Sequence, residues 1–71
     1  MNKVHPKSLL YSKWTKLNIT NKEKHFVVTK VSIDDEQCVI ECMIEAVMTK
    51  NEYVINWRDL KNSSLWLIGW Q

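Results

Sequence analysis

The sequence predicts one small, mostly-β domain, and three observations carry that reading. The chain has 71 residues, enough for a single domain and one core. Lys24–Ile33 and Tyr53–Trp57 concentrate β-branched and aromatic residues, and Lys13–Leu17 alternates in the same way. Polar and charged clusters at Asn18–Glu23 and Asp34–Gln37 punctuate these runs as loops or turns.

Element by element, residues 1–7 form an N-terminal arm. Pro6 marks a brief turn where the arm meets the domain proper, residues 8–71. Lys13–Leu17 is the first strand, and the polar stretch to Glu23 is a loop. Lys24–Ile33 is the clearest strand, carrying Phe26, Val27, Val28, Thr29, Val31 and Ile33. Cys38–Lys50 supports two readings. Val39, Ile40, Met43, Ile44 and Val47 fall at helical spacing, whereas Cys38, Ile40, Cys42, Ile44, Ala46 and Met48 would line one face of a strand. A turn signal at Lys50-Asn51 leads into a strand at 52–57. Alternation stops at Arg58–Asn62, where Ser63-Ser64 would cap a helical turn carrying Leu65 and Trp66. Gly69, the only glycine, marks a sharp bend or a close approach.

Composition narrows the classes of function. Hydrophobic residues make up 45% of the chain, too many for a disordered segment. The apolar run Leu65–Trp70 is far short of the roughly 20 residues that cross a membrane. No apolar region follows the N-terminus as in a secretory leader, and with two cysteines the chain reads as a reduced, cytoplasmic protein. Charge is uneven: residues 1–33 carry about +6 and residues 34–71 about −4. Two readings compete: the basic half could face a polyanion, or, since the halves of so small a fold must touch, basic and acidic strands could lie side by side and neutralise one another.

Enzymatic signatures are missing from the sequence. One glycine cannot build a phosphate loop, and none of the serines sits in a nucleophile elbow. A Cys38 or Cys42 thiol paired with His25 would sit among acids that raise its pKa, the wrong direction for a nucleophile. Glu41 and Glu45 share a face in either secondary structure, but acid–base work needs a cleft that a domain this small rarely builds. Cys38 and Cys42 on a strand would lie about 13 Å apart, too far to share a zinc or a disulfide. The expectation is therefore a non-enzymatic chain with no cofactor and no metal.

Ser12-Lys13-Trp14-Thr15, Lys24-His25-Phe26, Trp57-Arg58-Asp59-Leu60-Lys61 and Trp66-Leu67-Ile68-Gly69-Trp70 occur in this order. The pattern resembles a family of short tryptophan-rich bacterial proteins of unknown function, and it covers residues 8–71. The resemblance implies no activity, but it does imply aromatic and β-branched residues across the segment corresponding to Cys38–Met48, and hence a strand there. Strands at 13–17, 24–33, 38–49, 52–57 and 66–70, with a helical turn near 58–65, then follow the order of an open SH3-like barrel of antiparallel strands.

Function follows from four Trp interleaved with cations. The expected contact residues are Lys13, Trp14, Lys24, His25, Arg58 and Trp66. Trp14 and Trp66 would stack on a partner, and Lys13, Lys24 and Arg58 would pair with anions or carboxylates. Trp57, Leu60, Phe26, Ile40, Ile44 and Val28 are the expected core. The expected partner is a protein or peptide, including a second copy of the chain. The alternative is single-stranded RNA or DNA, bound by base stacking and phosphate contacts.

Overall fold

The computed structural model describes residues 2–71. Five strands, β1 (Lys13–Thr20), β2 (Glu23–Ile33), β3 (Val39–Ala46), β4 (Glu52–Ile55) and β5 (Trp66–Ile68), form one antiparallel sheet in the order β4-β3-β2-β1-β5. Two 3-10 turns complete the described residues: Pro6–Ser8 before β1 and Trp57–Lys61 between β4 and β5. The expected five-stranded SH3-like order is met, and the sheet stays open because its terminal strands do not pair with each other. The shortest extent of the molecule is 15 Å, room for one curled sheet over one layer of side chains.

Residues 39–46 form a strand, which removes the helical reading. Alternation across this segment separates buried Cys42, Ile44 and Ala46 from partly exposed Glu41, Met43 and Glu45. Pairing with β2 on one side and β4 on the other supplies the backbone hydrogen bonds that a helix would have made internally. The expected loop at 18–23 is instead a hairpin. Thr20 pairs with Glu23, and Asn21 and Lys22 turn the chain with φ of 53° and 60°. Both central residues in the left-handed region make the tight turn whose twist matches the flanking strands. Its polar composition conceals it, because Asn tolerates that region and Lys does not advertise it.

The expected turn at Lys50-Asn51 is a longer loop. Lys50 N–H donates to the Ala46 carbonyl and Ala46 N–H to the Asn51 carbonyl, with Lys50 at φ 65°. Ser63 and Ser64 do not cap a helix. Asn56 does so, its side chain accepting from Arg58 N–H at 3.1 Å, and the helical turn ends at Lys61. Asn62 then accepts from Ser64 N–H at 2.9 Å, turning the chain into β5.

The core consists of Leu9, Trp14, Phe26, Val28, Cys42, Ile44, Ala46, Leu60 and Trp66. Phe26, Val28, Ile44 and Leu60 were expected there. Ile40 was also expected there, but it is 66% exposed: the ladder puts Cys42 and Ile44 inward, and Ile40 lies beyond the end of β4, whose pairing stops at Cys42–Ile55. Trp57 is half-buried against the core rather than within it. The N-terminal arm is tied down. Asn2 N–H donates to the Lys61 carbonyl, the Asn2 side-chain amide donates to the carbonyls of Leu60 and Trp66, and Val4 packs against the core.

Candidate functional site

Basic β2 lies beside acidic β3, the second of the two arrangements the charge distribution allowed, and Lys30 meets Glu41 at 3.1 Å. That pair is exposed and contributes little to stability. The remaining charge on this face forms a row read directly from the register: Lys13 opposite Val27, Val27 opposite Glu45, and Glu45 opposite Glu52. One edge of the face is thus basic and the other acidic. Glu45 and Glu52 face each other across β3 and β4, and neither makes an ion pair among the described residues.

The tryptophans divide into two kinds, and two of the expected contact residues change place. Trp14 is 3% exposed and Trp66 7% exposed, so neither presents a free face to a partner. A 71-residue chain has few large apolar side chains, and these two fill the space under the sheet. Trp14 donates its indole N–H to Ser12 Oγ at 2.8 Å, which satisfies the ring in the interior. Trp66 stands edge-to-face with Phe26, with ring centroids 5.3 Å apart.

The other two indoles are wet on one side. Trp70, which was not among the expected contacts, lies across the outer face of the sheet with its indole N–H donated to the Phe26 carbonyl at 3.0 Å. Lys13 Nζ sits 4.8 Å from the ring centroid and the His25 ring 6.0 Å away. His25 Nε2 also lies 3.0 Å from the Gln71 carbonyl. Thr15 pins the tail that carries Trp70: its hydroxyl donates to the Gly69 carbonyl at 2.7 Å and accepts from Gln71 N–H at 2.8 Å. Gly69, at φ 78°, supplies the bend its position suggested. Trp57 is covered in a similar way, by Lys61 Nζ at 4.8 Å and the Arg58 guanidinium at 6.0 Å. Of the other expected contact residues, Lys13 and His25 therefore converge on Trp70, Arg58 belongs to a separate cluster on the second 3-10 turn, and exposed Lys24 joins neither.

Among several shallow concavities, one that the sequence did not reveal is the unclosed seam between β1 and β4. A cavity of about 280 Å³ lies there, bounded by Lys16 and Thr20 on β1 and Tyr53–Ile55 on β4, and floored by Phe26, Ile44 and Trp66. Glu23 closes one end. Its carboxylate accepts from Tyr53 Oη at 2.6 Å, from Asn51 Nδ2 at 3.1 Å and from the Thr49 hydroxyl. Donation by Thr49 and Tyr53 holds the Glu23 carboxyl below its ordinary pKa, and the same bond raises the Tyr53 hydroxyl above its own. Glu23 as the lone acid in the basic half, residues 1–33, was the one sequence signal of this network.

At the β2–β3 turn, Asp34, Glu36 and Cys38 bring ligand-type atoms within 4.8 Å of one another. Asp34 Oδ1 already accepts from Glu36 N–H and Cys38 N–H, the arrangement of an Asx turn. Cys42 is buried, and desolvation pushes its thiol up to about 11. Among the described residues, no helix is long and apolar enough to cross a membrane.

Comparison with curated proteins and with solved structures finds no match to this chain. Residues 12–71, which hold all four tryptophans and all five strands, match the family described as Tryptophan-rich protein (DUF2389), and the chain belongs to that family.

Proposed function

We propose that this chain is a non-enzymatic interaction module that binds an extended segment of a protein or peptide. The observation that supports this reading is the open seam between β1 and β4. It sets the more exposed Tyr53, Val54 and Ile55 along one wall and Lys16 at the rim, over a floor of buried Phe26, Ile44 and Trp66. A concave apolar site with a few polar groups at its margin suits an apolar side chain presented on an extended backbone. The only buried carboxylate among the described residues, Glu23, has its oxygens committed to three donors and is not free for proton transfer.

The nucleic-acid reading is the weaker of the two. Bases need open aromatic faces. Trp14 and Trp66 are sealed, and Trp57 and Trp70 carry cations of this chain over their rings. A reducing cytosol suits the two free cysteines.

Panning a displayed random-peptide library against the immobilised chain tests the proposal. Enriched peptides should bind the native chain and lose affinity at least ~10-fold on Thr20→Trp, which fills the seam. Absence of any enriched peptide would overturn the reading. So would salt-sensitive quenching of Trp fluorescence by single-stranded oligonucleotides at micromolar concentration, which would restore the alternative.

A further inference from the structure

The two edges of the sheet are managed differently, and the register shows how. On β5, Leu17 N–H bonds the Leu65 carbonyl and Gly69 N–H bonds the Lys13 carbonyl, so odd-numbered residues face β1 while Trp66 and Ile68 direct their main chain outward. Three of those four outward groups are occupied. Trp66 N–H bonds the Asn62 carbonyl at 3.0 Å, the Trp66 carbonyl accepts from the Asn2 side chain at 2.7 Å, and the Ile68 carbonyl accepts from the Gln71 side chain at 2.9 Å. On β4 the phase is set by Ala46 N–H to the Asn51 carbonyl, which makes Ile44–Tyr53 and Cys42–Ile55 the bonded pairs. Glu52 and Val54 therefore direct their N–H and C=O groups away from the sheet, and no described residue pairs with them. A row of unpaired main-chain groups on an edge strand is what a sheet offers to an incoming strand.

We propose that the partner segment docks as a sixth strand on β4, and that it alternates basic with apolar residues. This rests on the peptide-binding reading above and specifies the chemistry of the partner. A strand bonded to Glu52 and Val54 lies in the seam. Its side chains opposite Tyr53 and Ile55 point toward the cavity floored by Phe26, Ile44 and Trp66, which takes an aliphatic or aromatic group. Its side chains opposite Glu52 and Val54 share the outer face, where Glu45 and Glu52 stand opposite each other without a cation. Like charges directly opposite destabilise a ladder, and a Lys or Arg on the next strand relieves them. A second copy of the chain is the poorer occupant. Pairing β4 with its own copy would gather Glu45 and Glu52 of both chains on one face.

The test uses the full chain and the synthetic peptide acetyl-Lys-Val-Lys-Phe-Lys-Val-amide. Adding it should slow hydrogen exchange of the Glu52 and Val54 amides at least ~10-fold, since those N–H groups gain partners. N-methylation of alternate peptide residues, or replacing each peptide Lys by Glu, should weaken binding at least ~10-fold. Val54→Pro removes a donor that serves no ladder bond in this chain, and should weaken binding similarly. Glu52→Lys, which leaves the backbone untouched, should exchange the preference from the Lys peptide to the Glu peptide. Several outcomes overturn the proposal while leaving the peptide reading intact: library-selected peptides that ignore N-methylation, protection elsewhere than Glu52 and Val54, or no swap in Glu52→Lys. Doubled sedimentation mass of the chain alone, with the same amides protected, overturns it in favour of self-pairing. Failure of every library peptide removes both readings together.

Discussion

Replacing Thr15 by Val should release the C-terminal tail. Thr15 is 2% exposed and sits on β1, yet its hydroxyl serves the tail on both sides of Trp70, donating to the Gly69 carbonyl and accepting from Gln71 N–H. Valine keeps the shape and the strand preference and removes only the hydroxyl. Each net hydrogen bond contributes about 0.5–1.5 kcal/mol, so the loss of two should cost about 1–3 kcal/mol. In a domain of this size each kcal/mol lowers the melting temperature by about 4–8 °C, so the variant should melt at least ~4 °C lower. Thr15→Ser retains the hydroxyl and should recover most of the difference. The Trp70 indole N–H, now bonded to the Phe26 carbonyl at 3.0 Å, gives a local readout by NMR. Its exchange should accelerate in Thr15→Val and stay slow in Thr15→Ser. Unchanged melting together with an unshifted Trp70 indole would refute the claim that Thr15 holds the tail down.

Three further outcomes follow. Leu60, the fully buried residue of the second 3-10 turn, should cost about 2–5 kcal/mol as Leu60→Ala, read by chemical denaturation. Glu23 has a folded-state pKa below its ordinary 4.5, so its stabilising effect is complete above that value and is lost as pH falls through the lowered one. Melting temperature should drop on acidification below about 4.5, and Glu23→Gln should flatten that part of the profile. With an aromatic disulfide reagent at pH 8, exposed Cys38 should react at once. Buried Cys42, its thiol raised to about 11, should react only after denaturant is added.

The strands were legible because their signals are local. β-Branched runs, alternation and acidic turns specify β2, β4 and the β2–β3 turn regardless of what packs on them. The hairpin at Asn21-Lys22 was hidden because its lysine adopts the left-handed region under tertiary control. Trp14 and Trp66 were misplaced for a related reason. Lys13-Trp14-Thr15-Lys16 reads like a wet cation–aromatic motif, but strand alternation turns Trp14 inward while exposed Lys13 reaches a different indole, Trp70, from β1. Sequence neighbours on a strand point to opposite faces, so adjacency of Lys and Trp in the chain says nothing about adjacency in space. The seam was invisible because it is an absence of pairing between β1 and β4, far apart in sequence, and no residue type encodes a missing partner.

The polar groups spent on the edges connect these features. Asn2, Asn62 and Gln71 all serve the β5 side, while among the described residues no equivalent group serves Glu52 or Val54. What β4 receives instead is alignment. Glu23, at the start of β2, reaches Tyr53 on β4 and Thr49 and Asn51 in the loop before it, and so fixes a four-residue strand at both its side chain and its entry. A short edge strand left to itself frays, which would protect it from unwanted pairing but also spoil it as a template. These bonds stabilise the fold and at the same time align β4 while its outer main chain stays bare. On the sixth-strand proposal that alignment has a second use, because an aligned edge lowers the ordering cost of the strand that docks on it.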